Sequence, residues 1–132
     1  MILNQITIPC HDYQASVSFY RTLGLVLAVD APPRYARFET QGGEGATISL
    51  HLVSDSKRSD AIVYFDHPSA KALDEHVEFL IKKDISFIKR PTDEPWGWRE
   101  ARLFDPAENE ICLMYAGRNR RFPPWRVDGP GG

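Results

Sequence analysis

The sequence predicts an α+β fold in which one strand, one helix and three strands (βαβββ) follow one another twice. Residues 4–10 alternate between apolar and polar side chains, as in a half-buried strand, and a stretch with helical spacing follows until Gly24 ends it. Strand-like residues 61–66 then precede a second amphipathic helix over 69–83. Because each helix covers one face of its sheet, the other faces are free to curl around a cavity, which gives a half-barrel of mixed sheet.

The predicted organisation is one domain over residues 1–132, with a first module over 3–53, a second module over 60–116 and a C-terminal tail over 117–132. Proline and glycine pairs separate the strands, and the proline-containing tail is predicted to be irregular. In chain order, we predict strand 4–10, a helix between Asp12 and Gly24, strands 25–29, 35–40 and 46–53, strand 61–66, helix 69–83, and strands 86–90, 98–104 and 110–115.

Composition predicts a folded, cytoplasmic protein. Apolar residues make up 42% and aromatic residues 11% of the 132 positions, which is typical of a chain with a hydrophobic core. A net charge of −2 does not attract nucleic acid or anionic lipid, and no apolar run reaches the ~18 residues of a membrane span. No secretion signal is visible, and Cys10 and Cys112 do not make a disulfide framework. We therefore expect reduced thiols, no nucleic-acid partner and no membrane partner.

Several short motifs recur in a characteristic order along the chain. They are Asn4-Gln5-Ile6, Ser16-Val17-Ser18-Phe19-Tyr20, Leu23-Gly24-Leu25, Leu80 with Ile85, and Asp105-Pro106 with Asn109. Over about residues 3–116 the chain resembles the vicinal-oxygen-chelate superfamily, which contains glyoxalase I, bleomycin- and fosfomycin-resistance proteins, extradiol dioxygenases and methylmalonyl-CoA epimerase. The resemblance implies the glyoxalase/bleomycin-resistance/dioxygenase fold, a small-molecule ligand and a homodimer. Glu108 stands where the family usually has glycine, which costs about 1 kcal/mol if the backbone there is left-handed.

The same resemblance implies a divalent metal held by one side chain from each of four strands. Matched position by position, these places are taken by Gln5, Ser49, Asp60 and Cys112. Only the glutamine is a residue that the family commonly uses at its place, since the others usually are Glu or His. The usual ligand set is therefore incomplete, and no cofactor is assigned. The alternative is Zn, Ni, Mn or Fe at a displaced site made of Gln5, His51, Asp60 and Glu110.

Strand alternation predicts, independently of the family, which side chains face the cavity. With the apolar set of each strand assigned to the helix-covered face, the four family positions fall on the cavity side, together with His51, Glu100 and Glu110. Cys112 on its own is more typical of a small core residue than of a ligand. Aromatic and cationic side chains on or near these strands would suit an anionic or flat aromatic ligand. They are Tyr35, Arg37, Tyr64, Trp96, Trp98 and Arg99.

Three functions fit these observations, and no catalytic residue is assigned. The first, which we prefer, is a small-molecule pocket protein that binds its ligand without a metal. The second is a metal-dependent enzyme, either a glyoxalase-like lyase, an isomerase or an extradiol-type dioxygenase, in which a carboxylate moves the proton. The third is a non-catalytic dimerisation or interaction module. In each case we expect Phe122 and Trp125 to dock the tail onto the barrel or onto a partner subunit.

Overall fold

The computed structural model describes residues 1–127 as two compact units. Residues 1–62 and 104–110 form the first unit, and residues 63–103 and 111–127 form the second. Each unit holds one helix and most of one four-stranded sheet. Within the described residues, neither helix is long and apolar enough to cross a membrane.

The first sheet and its helix follow the predicted order. In chain order they are β1 (Gln5–Cys10), α1 (Tyr13–Leu23), β2 (Val26–Ala31), β3 (Tyr35–Glu39) and β4 (Thr47–Leu52). The strands lie side by side in the order β1-β4-β3-β2, with β1 parallel to β4 and the other pairs antiparallel. The first βαβββ module is therefore confirmed, with each element within two residues of its predicted ends.

The second module repeats this arrangement. Its elements are β5 (Ile62–Asp66), α2 (Ala70–Lys82), β6 (Lys89–Asp93), β7 (Arg99–Phe104), β8 (Glu110–Tyr115) and a 3₁₀ helix η1 (Gly117–Arg120). The strand order β5-β8-β7-β6 is that of the first sheet, element for element. The predicted α+β fold of two βαβββ modules is confirmed. Residues 128–132 of the predicted tail lie outside the described residues.

The prediction for β6 was wrong by three residues at its start. This strand was predicted over residues 86–90, whereas it runs over Lys89–Asp93. The bounds are set by pairing with β7, where Lys89 lies opposite Arg102 and the register then shifts. An edge strand tolerates polar residues and a proline, so the apolar residues just before it were a misleading signal.

Both helices begin at a side-chain cap. The Asp12 carboxylate accepts the backbone N–H of Ala15 at 3.0 Å, as predicted for α1. The Ser69 hydroxyl accepts the N–H of Ala72 at 3.0 Å in α2. Each cap satisfies an amide that would otherwise lack a partner at the helix start.

The helix α1 covers one face of the first sheet. The ring of Tyr20 on α1 lies 5.7 Å from the ring of Phe38 on β3. Its hydroxyl donates a hydrogen bond of 2.5 Å to the buried Asp105 carboxylate, and burial together with that carboxylate raises the pKa of Tyr20 far above its usual range. Since Phe38 faces α1, its neighbour Arg37 faces the side without a helix.

The turn before β8 is held by the same aspartate. Asp105 accepts the backbone N–H groups of Ala107 and Asn109, each at 2.9 Å, and the Asn109 amide donates to the carbonyl of Pro9 at 2.8 Å. Glu108 has φ +66°, so the backbone is left-handed where the family usually has glycine. The strain predicted for a left-handed backbone at Glu108 therefore applies.

The helix α2 covers one face of the second sheet. The buried side chains on this side are Leu73, Val77, Leu80, Ala101, Leu103, Ile111 and Leu113. Arg99 of β7 also lies here, because it donates to the Asp74 carboxylate of α2 at 2.9 and 3.2 Å. Glu100 and Arg102 alternate with Arg99 along β7, so their side chains lie on the other face of the sheet.

Candidate functional site

The face of the first sheet without a helix carries a set of polar side chains, which we call the polar face (Gln5, Thr7, Tyr35, Arg37, Ser49 and His51). Thr7, Ser49 and Arg37 are direct neighbours on β1, β4 and β3. His51 and Tyr35 are neighbours in the next row. Adjacent strands are about 4.8 Å apart, so these side chains can act on one another.

Hydrogen bonds within the polar face use most of its groups. The hydroxyls of Thr7 and Ser49 lie 2.7 Å apart, and Ser49 is fully buried. Thr47 donates its hydroxyl proton to the Gln5 side-chain oxygen at 2.9 Å. The two threonines were not among the predicted site residues, although both follow from the strand parity that selected Gln5 and Ser49.

Arg37 is the cation of the polar face. Its Nε donates to the Tyr35 hydroxyl oxygen at 3.1 Å, and its guanidinium carbon lies 5.6 Å from the centre of that ring. Within residues 1–127, Arg37 forms no ion pair with a carboxylate. Burial acts to raise the pKa of Tyr35, but hydrogen bonding from Ser49, Arg37 and Gln5 and the charge of Arg37 lower it overall.

The corresponding face of the second sheet is aromatic. We call it the aromatic face (Tyr64, Trp98, Glu100, Arg102, Cys112 and Met114). The Tyr64 and Trp98 rings meet edge to face, with centroids 6.0 Å apart, and the Arg102 guanidinium lies 5.4 Å from the centre of the Tyr64 ring. Tyr64 remains 46% exposed, so part of its surface is accessible to a ligand.

Glu100 organises the aromatic face. It is only 2% exposed, and its two carboxylate oxygens accept from Arg102 at 2.7 Å and from the Trp96 indole at 2.6 Å. Because both oxygens have donors, this carboxylate holds its neighbours in place and is not a free base. Arg102 was missed by the sequence analysis, and the signal that could have found it is its shared parity with Trp98 and Glu100.

A family model described as "Glyoxalase/Bleomycin resistance protein/Dioxygenase superfamily" matches residues 2–113. The chain belongs to this superfamily. The resemblance predicted from the motifs is therefore confirmed, and the repeated strand order is that of the vicinal-oxygen-chelate fold. No curated protein matches the chain significantly.

Solved structures of superfamily members share the fold at low identity. A glyoxalase/bleomycin resistance protein/dioxygenase from Nocardioides is 22% identical, with a TM-score of 0.77 over 97% of this chain and 90% of that one. A glyoxalase/bleomycin resistance protein/dioxygenase from Alicyclobacillus acidocaldarius is 20% identical, with a TM-score of 0.73 over 91% of this chain and 95% of that one. A lactoylglutathione lyase from Agrobacterium tumefaciens is 19% identical, with a TM-score of 0.71 over 86% of this chain and 92% of that one. At these identities the likeness concerns the fold alone.

At two of the superfamily's metal positions, the side chains of this protein are hydrogen-bonded to other residues of the first sheet. The Gln5 oxygen accepts from Thr47, and the Ser49 hydroxyl is paired with Thr7. A buried serine hydroxyl is neutral and lacks the charge of the glutamate that the superfamily often has there.

The other family positions do not complete a ligand set. Cys112 is fully buried in an apolar cluster with Met114 and Ala116, against which Trp98 packs. Asp60 is exposed in the segment before β5. Across residues 1–127 there is no group of three or more His, Cys, Asp or Glu side chains that could hold a metal ion.

The displaced metal site is also not assembled. Its proposed ligands included His51, Asp60 and Glu110, and these three do not form such a group. The combination of an amide, a hydroxyl, a carboxylate and a buried thiol at the family positions further mixes hard and soft donors. The side chains present do not fit the metal that the superfamily implies.

Arg99, one of the candidate pocket residues, lies on the helix-covered side of its sheet. Arg99 binds Asp74 of α2 and also Asp93, at 3.1 Å, and Asp74 is the main cause that raises the pKa of Arg99. Trp98 precedes Arg99 by one residue, so the two side chains leave the strand on opposite sides. Arg99 connects β7 to the helix and takes no part in the aromatic face.

The tail is held on the second sheet by a residue other than Phe122 and Trp125, and docking of these two onto a partner subunit stays a prediction. Phe122 is 50% and Trp125 is 59% exposed. The docking residue is Asn119, whose backbone oxygen accepts from the Trp98 indole at 3.2 Å and whose amide donates to the Gly97 carbonyl at 3.3 Å. Gly97 permits this contact, because a Cβ there would lie 2.7 Å from the Asn119 amide nitrogen.

Proposed function

We propose that this protein binds a small organic anion on its polar face, without a metal. The observation that carries the proposal is the guanidinium of Arg37, which has no carboxylate partner within residues 1–127. Its Nε is bound to Tyr35, and its two Nη atoms make no hydrogen bond there. Paired Nη donors are suited to a carboxylate or phosphate group.

The surroundings of Arg37 support an anionic ligand over a cationic one. Its hydrogen-bond partner is the Tyr35 hydroxyl, and its cross-strand neighbours are Ser49 on β4 and Val29 on β2. The Thr7 and Ser49 hydroxyls are paired with each other and carry no charge. A half-buried cation among neutral donors attracts an anion more strongly than a cation in water does.

A metal-independent binder is favoured over a metal enzyme by the donor chemistry. The superfamily places Gln5, Ser49, Asp60 and Cys112 where ligands are expected, and they do not form a ligand set here. Superfamily membership supports a small-molecule ligand without naming it. The anion is therefore inferred from Arg37 alone.

The test is isothermal titration calorimetry with benzoate and its neutral analogue benzamide. Benzoate should bind, benzamide should bind much more weakly, and Arg37→Met should weaken benzoate binding at least tenfold, as expected for a charged hydrogen bond of about 1.5–3 kcal/mol. Methionine keeps the apolar stem of the arginine. Phenyl phosphate tests whether phosphate is preferred to carboxylate.

The matched control is Arg34→Met, which removes an exposed arginine near the start of β3. It makes the same change in net charge and should leave benzoate affinity unchanged. Equal binding of benzoate and benzamide, or an equal loss in both arginine variants, would contradict the proposal.

A homodimer, which the superfamily resemblance implies, is part of this proposal. The exposed apolar side chains of Met1, Ile2 and Leu3 support it, since such a group is costly to leave in water. Sedimentation velocity of the purified chain should give a dimer. A monomer across the accessible concentration range would count against self-association and leave the ligand proposal unaffected.

A further inference from the structure

Residues 117–127, which we call the C-terminal strap, are fixed to the second sheet at one point. Asn119 accepts from the Trp98 indole at 3.2 Å and donates to the Gly97 carbonyl at 3.3 Å. The strap then turns through η1 and a proline pair, with backbone hydrogen bonds such as that from Phe122 N–H to Arg118 O at 2.9 Å. It therefore holds a defined shape at the protein surface.

The strap is the most basic part of the chain. It contains four arginines and no acidic residue, and all four side chains are exposed: Arg118, Arg120, Arg121 and Arg126. None of them forms an ion pair with a carboxylate of residues 1–127. Four unpaired guanidiniums in eleven residues repel one another, so the strap is suited to an anionic partner.

Apolar side chains are exposed among these arginines. Phe122 is 50% and Trp125 is 59% exposed, and Val127 is 85% exposed. Two guanidiniums lie over the Phe122 ring, those of Arg118 at 5.5 Å and Arg126 at 4.9 Å from its centre. The strap thus presents aromatic surface and positive charge together, a combination that suits the boundary between lipid headgroups and acyl chains.

We propose that the C-terminal strap binds the surface of a membrane that contains anionic phospholipid. The arginines would contact headgroup phosphates, while Trp125 and Val127 enter the boundary region. A nucleic acid is disfavoured because single-stranded binding relies on successive free rings for base stacking. The Phe122 ring is occupied by two guanidiniums, which leaves Trp125 as the free ring of the strap.

The net charge of −2 does not oppose this interaction. At physiological salt the field of a charge is screened beyond about 8 Å, so an anionic surface in contact with the strap is affected mainly by the four local arginines. The net charge alone had predicted no attraction to anionic lipid. The strap shows that charge is unevenly distributed along the chain.

The experiment is co-sedimentation of the full chain with vesicles of phosphatidylcholine, with and without phosphatidylserine. Binding should require phosphatidylserine and should weaken as salt is raised. Arg120→Ala/Arg121→Ala should weaken it about 25-fold, at roughly fivefold per arginine. Trp125→Ala should weaken it severalfold without a change in charge.

Lys82→Ala/Lys83→Ala is the matched control, because it removes two adjacent exposed cations from the end of α2. It should bind vesicles as the unmodified chain does. An equal loss in both double variants would overturn the proposal by showing a response to net charge alone.

Three further results would also overturn it. These are equal binding to vesicles with and without phosphatidylserine, unchanged binding of Trp125→Ala, and binding to polyuridylate with no binding to vesicles at the same salt concentration. The last result would assign the strap to nucleic acid.

Discussion

The two sheets have the same strand order, but the arginines on their helix-free faces have different partners. On the aromatic face, Arg102 is neutralised by the buried Glu100 and lies against Tyr64. On the polar face, Arg37 has a tyrosine hydroxyl as its hydrogen-bond partner and no carboxylate within residues 1–127. One arginine is held within a finished internal network, and the other keeps donors for a partner.

This difference shows that the repeated fold does not determine the chemistry of its faces. Strand order and parity place an arginine where a ligand could meet it in both sheets. The deciding feature is the residue two positions before the arginine on the same strand, which is Glu100 for Arg102. The equivalent neighbour of Arg37 is Tyr35, which is neutral while it keeps its proton. Glu39, two positions after Arg37, forms no ion pair with it within residues 1–127.

The largest expected effect comes from breaking the aromatic-face network. Glu100→Ala removes the partner of Arg102 and of the Trp96 indole, and leaves a cation in a largely buried position. Loss of one partner of a buried ion pair costs about 3–5 kcal/mol. Urea denaturation should show a drop of this size in the free energy of unfolding.

The comparison variant is Arg37→Met on the polar face. Because Arg37 has no carboxylate partner within residues 1–127, its removal should change the free energy of unfolding by less than about 1 kcal/mol. If the two variants lost similar stability, the distinction between a structural arginine and a ligand-binding arginine would fail.

The next effect concerns pH and the polar face. The pKa of Tyr35 is lowered, so raising the pH converts its hydroxyl to a phenolate that pairs with Arg37 and competes with a bound anion. Benzoate affinity should therefore fall as the pH rises, and the fall should begin below about pH 10, the usual pKa of a tyrosine. The expected loss is of the order of 1 kcal/mol, roughly fivefold.

Tyr35→Phe should abolish this alkaline loss while benzoate still binds at neutral pH. Tyr115→Phe is the control, since the Tyr115 hydroxyl lies in the second unit, beside Gly117. A fall in affinity of the same size in Tyr35→Phe would show that another group is responsible.

Much of the fold followed from the sequence because it depends on local patterns. Alternation and helical spacing gave both modules, and Asp12 and Gly24 marked the ends of α1. Alternation along the strands also separated the polar face from the core. Ser49 and Arg37 lie on one face of the sheet and Phe38 lies on the other.

The remaining features depend on contacts between residues distant in sequence. Arg99 was a candidate because it lies next to Trp98 in the sequence. Its partner Asp74, which draws it toward α2, is 25 residues away in the sequence. The docking of Asn119 onto Gly97 is likewise invisible in local patterns. Such pairings are specified by the packed structure, so side-chain roles were harder to predict than strands.

The smallest expected effect compares the two helix ends. Both are followed by a left-handed residue, Gly24 at φ +115° after α1 and Asp84 at φ +65° after α2. Leu25 and Ile85 then return hydrogen bonds to the helices at 3.0 and 3.1 Å. The two modules use the same type of helix end, with glycine in one and a side chain under backbone strain in the other.

Asp84→Gly should therefore stabilise the protein by about 0.5–1 kcal/mol, and Gly24→Ala should destabilise it by about 1 kcal/mol or more. No atom lies within 4 Å of a Cβ added to Gly24, so the cost there is one of backbone conformation and not of packing. Thermal unfolding of the two variants measures both effects. A neutral Gly24→Ala would mean that α1 can end without the left-handed residue, and the equivalence of the two helix ends would then be lost.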